Sequence, residues 1–148
     1  MSLLNKSIAG LAGSLALTGV HQIFRKYTND SPHLDQIGET VLEKSLDAVD
    51  APTRDEDAVY AAAMGGNILT NAVLFSTLAT STNASQFISK TLGTGLLGAA
   101  GSVGLAEKLL TNNHATDTDK KKWMTTGYYI FGALVSIGVY NVLERKFK

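Results

Sequence analysis

Ser14, Thr18, His21 and Arg25 follow one another at offsets of zero, four, seven and eleven residues, which stacks all four on one face of a helix. Asn67 and Asn71 lie four apart and make a second polar face, which Tyr60 and Met64 continue. Tyr129, Ser136 and Tyr140 offer a third. Turned inward together, these faces build a mildly polar centre with a His21/Arg25 end. An amide in apolar surroundings is costly without a partner. It therefore either bonds a neighbouring helix, which contributes roughly 0.6–2 kcal/mol, or lines a pocket for a small ligand or lipid headgroup. On the pocket reading the lining set is Ser14, Thr18, His21, Arg25, Asn67, Asn71, Tyr129 and Tyr140. His21 is the ionisable side chain expected at membrane depth, where such groups are functional candidates. Its structural alternative is a bond to a loop carboxylate such as Asp35 or Glu39.

Most other chemistry lacks its residues. Cysteine is absent, which removes disulfides, thiolate metal sites and cysteine nucleophiles. A bis-histidine haem needs two facing histidines, but His33 and His114 fall in loops. Asp117-Thr118-Asp119 begins like a calcium loop, yet Lys120 to Lys122 stand where ligands and a glycine are required. Serine nucleophiles have no elbow motif around them. Gly93-Thr94-Gly95-Leu96-Leu97-Gly98 spells a dinucleotide fingerprint, but no strand pattern precedes it. No catalytic site, metal or cofactor is expected. Thirteen bases balance 13 acids, so a nucleic-acid partner has no electrostatic footing.

The elements that carry these residues show in the charge pattern. No Asp, Glu, Lys or Arg occurs in 7–24, 58–89, 91–106 or 123–143. A helix without a charged face is buried all round, in protein or in lipid, and about 20 apolar residues match a bilayer's hydrocarbon thickness. The reading is an all-α integral membrane four-helix bundle, one domain over 1–148, with spans at about 7–24, 58–80, 87–110 and 123–143. Mean hydropathy is only +0.07 because residues 25–57 concentrate nine acids and four bases. A soluble bundle of bland helices is the alternative. A signal peptide at 1–24 is disfavoured by the poor cleavage site His21-Gln22-Ile23-Phe24.

Between the first two spans, Leu34, Ile37, Val41, Leu42, Leu46 and Val49 recur at helical spacing opposite Asp35, Glu39, Glu43, Asp47 and Asp50. This is an amphipathic helix at about 31–50, capped by Ser31-Pro32. Its acidic polar face argues against anionic lipid and for packing on the span ends or on a partner. Thr53 and Glu56 spell a capping box for the second span. Residues 81–85 form a polar turn, so spans two and three should make an antiparallel hairpin. Trp123, Tyr128, Tyr129 and Tyr140 suit interfacial belts.

Small residues mark the helix contacts: Gly10 and Gly13 on span one, Gly95, Gly98 and Gly101 on span three, Gly132 on span four. Such faces pack within the protomer, against a second copy or against a larger complex. Loops one and three carry eight bases against five on the other side, which points to both termini outside the cytoplasm. The apolar Gly/Ala/Ser/Leu opening, Arg25-Lys26 and Ser31-Pro32, about a fifth of the chain, resemble uncharacterised small bacterial inner-membrane proteins, which implies that location and carries no function over. The leading expectation is a non-enzymatic structural or accessory membrane subunit, a homo-oligomer or part of a larger complex, surrounded by membrane lipids. The alternative is a binding or transport protein with the polar pocket above.

Overall fold

The computed structural model describes residues 2–51, 55–80, 83–112 and 114–146. Five helices, and no strand among the described residues, make up the chain: α1 (Ser2–Tyr27), α2 (Leu34–Asp47), α3 (Glu56–Leu78), α4 (Ala84–Leu109) and α5 (Asp119–Lys146). Four are long and run up and down, and α2 is short. Three of them, α1 from Leu3, α3 and α5, are long and apolar enough to cross a membrane. The fourth, α4, has comparable length and is not among them.

Small residues decide which helices touch. A Cβ on Gly10 would run into the Ser76 side chain and the Ala72 carbonyl, so α1 seats directly on α3. A Cβ on Gly13 would lie 2.6 Å from the Gly132 carbonyl and 2.7 Å from Ser136 Cβ, which brings α1 against α5. Gly95 faces Ile130, and Gly98 faces the Tyr129 ring, so α4 lies on α5. The lateral order is therefore α3, α1, α5, α4. Phe75, 1% exposed, fills the space beside Gly13 and Gly132 and packs on Leu17, Tyr129 and Ala133.

This order changes the expected hairpin. α3 and α4 are joined by the short connection 79–83 and run antiparallel, yet they touch only sparsely. Each has its small-residue or shape match elsewhere, α3 on α1 and α4 on α5. Asn83 caps α4, its side chain accepting from the Gln86 N–H at 2.9 Å. The capping residue Thr53 lies outside the described residues; Asp55 occupies the N-cap of α3 with no side-chain bond.

α2 crosses the end of the bundle where α1 stops, resting on α3 and α4. It starts at Leu34 rather than at the expected Ser31-Pro32. The Pro32 carbonyl, which would open the helical ladder, instead accepts from His21 Nε2 at 2.8 Å. Ser31 is buried beside the Tyr128 hydroxyl, 3.4 Å away. The far end closes in a left-handed turn, with Asp50 at φ 50°. The Ala51 N–H reaches back to the Leu46 carbonyl, and Asp50 N–H to Asp47, the paired bonds of a Schellman motif. Ile37 is buried under α2 while Val41 and Val49 stay exposed, so the apolar stripe is only partly covered.

Ion pairs gather at the α2 end of the bundle: Arg25–Asp35, Lys120–Asp30, Lys121–Asp117 and Lys122–Glu107. Large apolar side chains are exposed along the flanks of all four long helices, among them Leu11 and Leu15, Leu69 and Val73, Leu96 and Leu97, Phe131 and Leu134. Of the aromatics expected in interfacial belts, Trp123 is exposed, whereas Tyr128, Tyr129 and Tyr140 turn into the protein. Each of those tyrosines has a hydroxyl partner inside: Ser31, Asn71 with Ser102, and Glu144 respectively.

Candidate functional site

The lateral order α3, α1, α5, α4 leaves α1 and α5 as a floor, with α3 and α4 standing apart as walls. α2 roofs the space at one end. The result is a chamber of about 110 Å³. That is room for several water molecules or a compact ligand group, since one water needs about 10–15 Å³ on this measure.

Every helix contributes to it. From α1 come Leu17, Thr18, His21 and Gln22, on the same face because their spacing is one helical turn. Met64, Asn67, Thr70 and Asn71 line it from α3. Ser102 and Leu105 close it from α4, Tyr129 from α5, and Leu34, Asp35 and Ile37 from the roof. Much of the lining is apolar, and the polar groups fall into two layers.

The deeper layer is satisfied. The Tyr129 hydroxyl donates to Asn71 Oδ1 at 3.1 Å and also meets Ser102 Oγ. This ties α3, α5 and α4 together where α3 and α4 diverge, which is the interhelical role open to Asn71.

The upper layer is not. His21 is fixed by the Pro32 carbonyl and stacks obliquely on Tyr128, ring centroids 5.7 Å apart. Arg25 Nη1 donates to Asp35 Oδ2 at 2.6 Å. Asp35 is only 7% exposed, and its second oxygen, Oδ1, is buried with no hydrogen-bond partner among the described residues. Asn67 makes no hydrogen bond among the described residues; its amide sits under Gly38, where a Cβ would approach Nδ2 to 2.5 Å. Glu39, one turn along α2 from Asp35, has its carboxyl raised above the ordinary range, first by partial burial and then by Asp35 and Glu43, against the pull of Arg25.

Of the eight residues proposed as pocket lining, Thr18, His21, Asn67, Asn71 and Tyr129 border this chamber. Arg25 stands at its edge through Asp35. Ser14 lies deeper on α1, its hydroxyl donating to the Ile68 carbonyl at 2.7 Å. Tyr140 is at the opposite end of the bundle, packed with Ala9 and Ala79 and donating to Glu144 at 3.1 Å. His21 bonds a backbone carbonyl rather than Asp35 or Glu39. Five of the six glycines assigned to packing, Gly10, Gly13, Gly95, Gly98 and Gly132, sit at close approaches within the chain; Gly101 faces open space. Ser102 and Gly38 belong to the site without having been singled out for it, and Asp35 was named only as a carboxylate for His21 to bond. Ser102 was hidden in a glycine-rich stretch. Asp35 read as part of the acidic face of α2 and as a candidate partner of His21, but its bond goes to Arg25 instead.

Among the described residues, no three His, Asp or Glu side chains converge to hold a metal ion. No protein family model, curated protein or solved structure matches this chain.

Proposed function

We propose that this chain is a four-span integral membrane protein that binds a small molecule or a lipid headgroup, without enzymatic activity, in the chamber beneath α2. The observation that carries the reading is the buried Asp35 Oδ1, without a partner among the described residues, on a residue that lines the same chamber as Asn67, in a space large enough for a ligand group. A buried polar atom left unpaired costs about 1–3 kcal/mol, so a bound donor would recover stability there.

The exposed apolar belt supports insertion of all four long helices. α4 bears Ile88, Leu92, Leu96 and Leu97 on its outer side, at 44–65% exposure. It also has to return the chain from the α3 terminus to the α2 end, where α5 begins. Three other helices of crossing length at its side leave it the same path through a bilayer. The eight bases on the α2 side favour that side as cytoplasmic, and a bacterial inner membrane is the location the opening residues favour. Because the chain has no cysteine, single cysteines at Lys6 and Asp50 would report sidedness without background. Labelling of both from the same face would overturn the four-span arrangement.

The binding reading is tested by native mass spectrometry of protein purified gently from its own membranes. A discrete retained mass on the wild type, lost in a Thr18→Phe variant that fills the chamber, is the expected result. A bare protein mass for both would remove the support.

The second reading is an accessory or self-associating subunit, as a homo-oligomer or within a larger complex. It draws on Gly101, which faces open space next to the exposed Leu97. Gly101→Leu would then shift the assembly mass. Most other packing glycines already have partners inside the chain, which weakens this reading relative to the first.

A further inference from the structure

The chamber's polar inventory narrows what it would hold. Resting on the binding reading above, we infer that the occupant is an amphiphile with an uncharged, hydroxyl-bearing head on an apolar tail, its head donating a hydrogen bond to Asp35.

The head must donate. The unmet atom is a carboxylate oxygen, which accepts and never donates when ionised. Asp35 lines the chamber, and with Oδ2 held by Arg25 the atom left to accept is Oδ1. Asn67, on the facing helix, offers both an acceptor and donors to a second polar atom of the same head. A glycerol-like head with two hydroxyls matches that pair.

The head must also be uncharged. The Asp35 charge is already matched by Arg25 at 2.6 Å, so a cation entering would be surplus and would pay its own dehydration. An anion would meet the Asp35 carboxylate, with Glu39 one turn further along α2. Their mutual repulsion already contributes to raising Glu39. Of the two bases at hand, His21 is bonded to the Pro32 carbonyl and Arg25 is engaged by Asp35.

The tail has a way in. α3 and α4 touch only sparsely, and the chamber lies between them with Met64 and Leu105 at its walls. Leu105 is 49% exposed and carries apolar surface outward from the chamber wall. A chain whose head occupies the chamber would leave through this gap and lie along α3 and α4.

The experiment compares four probes that share an oleoyl chain, added to the full chain in detergent micelles: 1-monooleoylglycerol, methyl oleate, oleate and oleylamine. Retention is read by native mass spectrometry and by thermal unfolding. Monooleoylglycerol should be retained and raise the unfolding temperature, and the three others should bind about tenfold more weakly, the worth of one charge-assisted hydrogen bond or more. Asp35→Asn should weaken monooleoylglycerol by about tenfold and leave methyl oleate unchanged. Should Asp35→Asn fail to fold, Thr18→Phe, which leaves the Arg25–Asp35 pair intact, must abolish retention. Methyl oleate, oleate or oleylamine held as tightly as monooleoylglycerol, and lost in Thr18→Phe, would overturn the head chemistry while leaving the binding reading in place. Retention of none of the four by folded wild type would overturn this inference, and an empty native protein would overturn the binding reading as well.

Discussion

The two halves of this bundle are built on opposite terms. In the half near the α3–α4 turn, Gly10, Gly13 and Gly132 let backbones approach until Phe75, Ala9 and Ala79 fill what is left. In the half under α2, Thr18, His21, Asn67 and Tyr129 occupy the equivalent inward positions, and the helices stand around a chamber instead of closing on one another. The same four helices therefore form a packed clamp at one end and a lined vessel at the other. The difference lies in side-chain size and polarity at inward positions, since the lateral order of the helices does not change along the bundle. The open space lies in one half, and the close helix contacts lie in the other.

That contrast can be broken most sharply at Gly13. Gly13→Val forces a branched side chain into the Gly132 carbonyl and Ser136, and should destabilise the fold by about 3 kcal/mol. Detergent-monitored unfolding measures this; an effect no larger than that of Gly101→Ala, where nothing lies within 4 Å, would mean the clamp is not tightly packed. At the vessel end, Arg25→Ala leaves the buried Asp35 carboxylate with neither oxygen paired. The expected loss is about 2 kcal/mol, below the value for a fully buried pair because Arg25 is partly exposed. The companion variant Arg25→Ala/Asp35→Leu should recover most of it.

Tyr129→Phe keeps the ring against Gly98 and Phe75 but removes the hydroxyl shared with Asn71 and Ser102. Here about 1 kcal/mol is expected, together with a more open gap between α3 and α4, readable as faster labelling of a cysteine placed at Leu105 on the chamber wall. Unchanged labelling would show that the hydroxyl does not tie the walls together.

The smallest effect is a pH slope. Glu39 binds its proton more tightly in the folded chain than in the unfolded one. Stability should therefore fall as pH rises from the ordinary carboxylate range through the raised Glu39 value, and Glu39→Gln should flatten that slope. Asp30 works in the other direction. Lys120 holds its carboxyl low, so its contribution is present above the ordinary carboxylate range and fades as pH falls through it. Asp30→Asn should remove that acid-side loss. Equal slopes for wild type and both variants would remove the electrostatic description of the α2 end.

Helices were easy to read from this chain because long charge-free stretches bounded by Arg25-Lys26, Asp55-Glu56-Asp57 and Lys120 to Lys122 leave few other solutions. Periodicity also put Thr18 and His21 on one face and Asn67 and Asn71 on another, and both faces border the chamber. What periodicity does not carry is depth. Tyr140 shares a side of α5 with Tyr129, but 11 residues along a helix are about 16 Å, enough to move it to the other end of the bundle. Ser14 was displaced by the same arithmetic. Neighbour choice was equally hidden. The short 79–83 connection pointed to an α3–α4 hairpin, while the actual contacts follow Gly10 on Ser76 and Gly98 on Tyr129, complementarities between distant segments that no single stretch displays. The start of α2 depended on a bond from His21 to Pro32, again a long-range term overriding a good local cap.

The lateral order also has a consequence for how the molecule is made. α4 leaves the ribosome before α5, the helix that its Gly95 and Gly98 face was shaped for. Until α5 arrives, that face lacks the helix it packs on, and α3 stands off. Biogenesis of this protein therefore includes an interval in which a glycine-lined helix waits unpartnered, and insertion of α5 between α1 and α4 is the step that completes the fold.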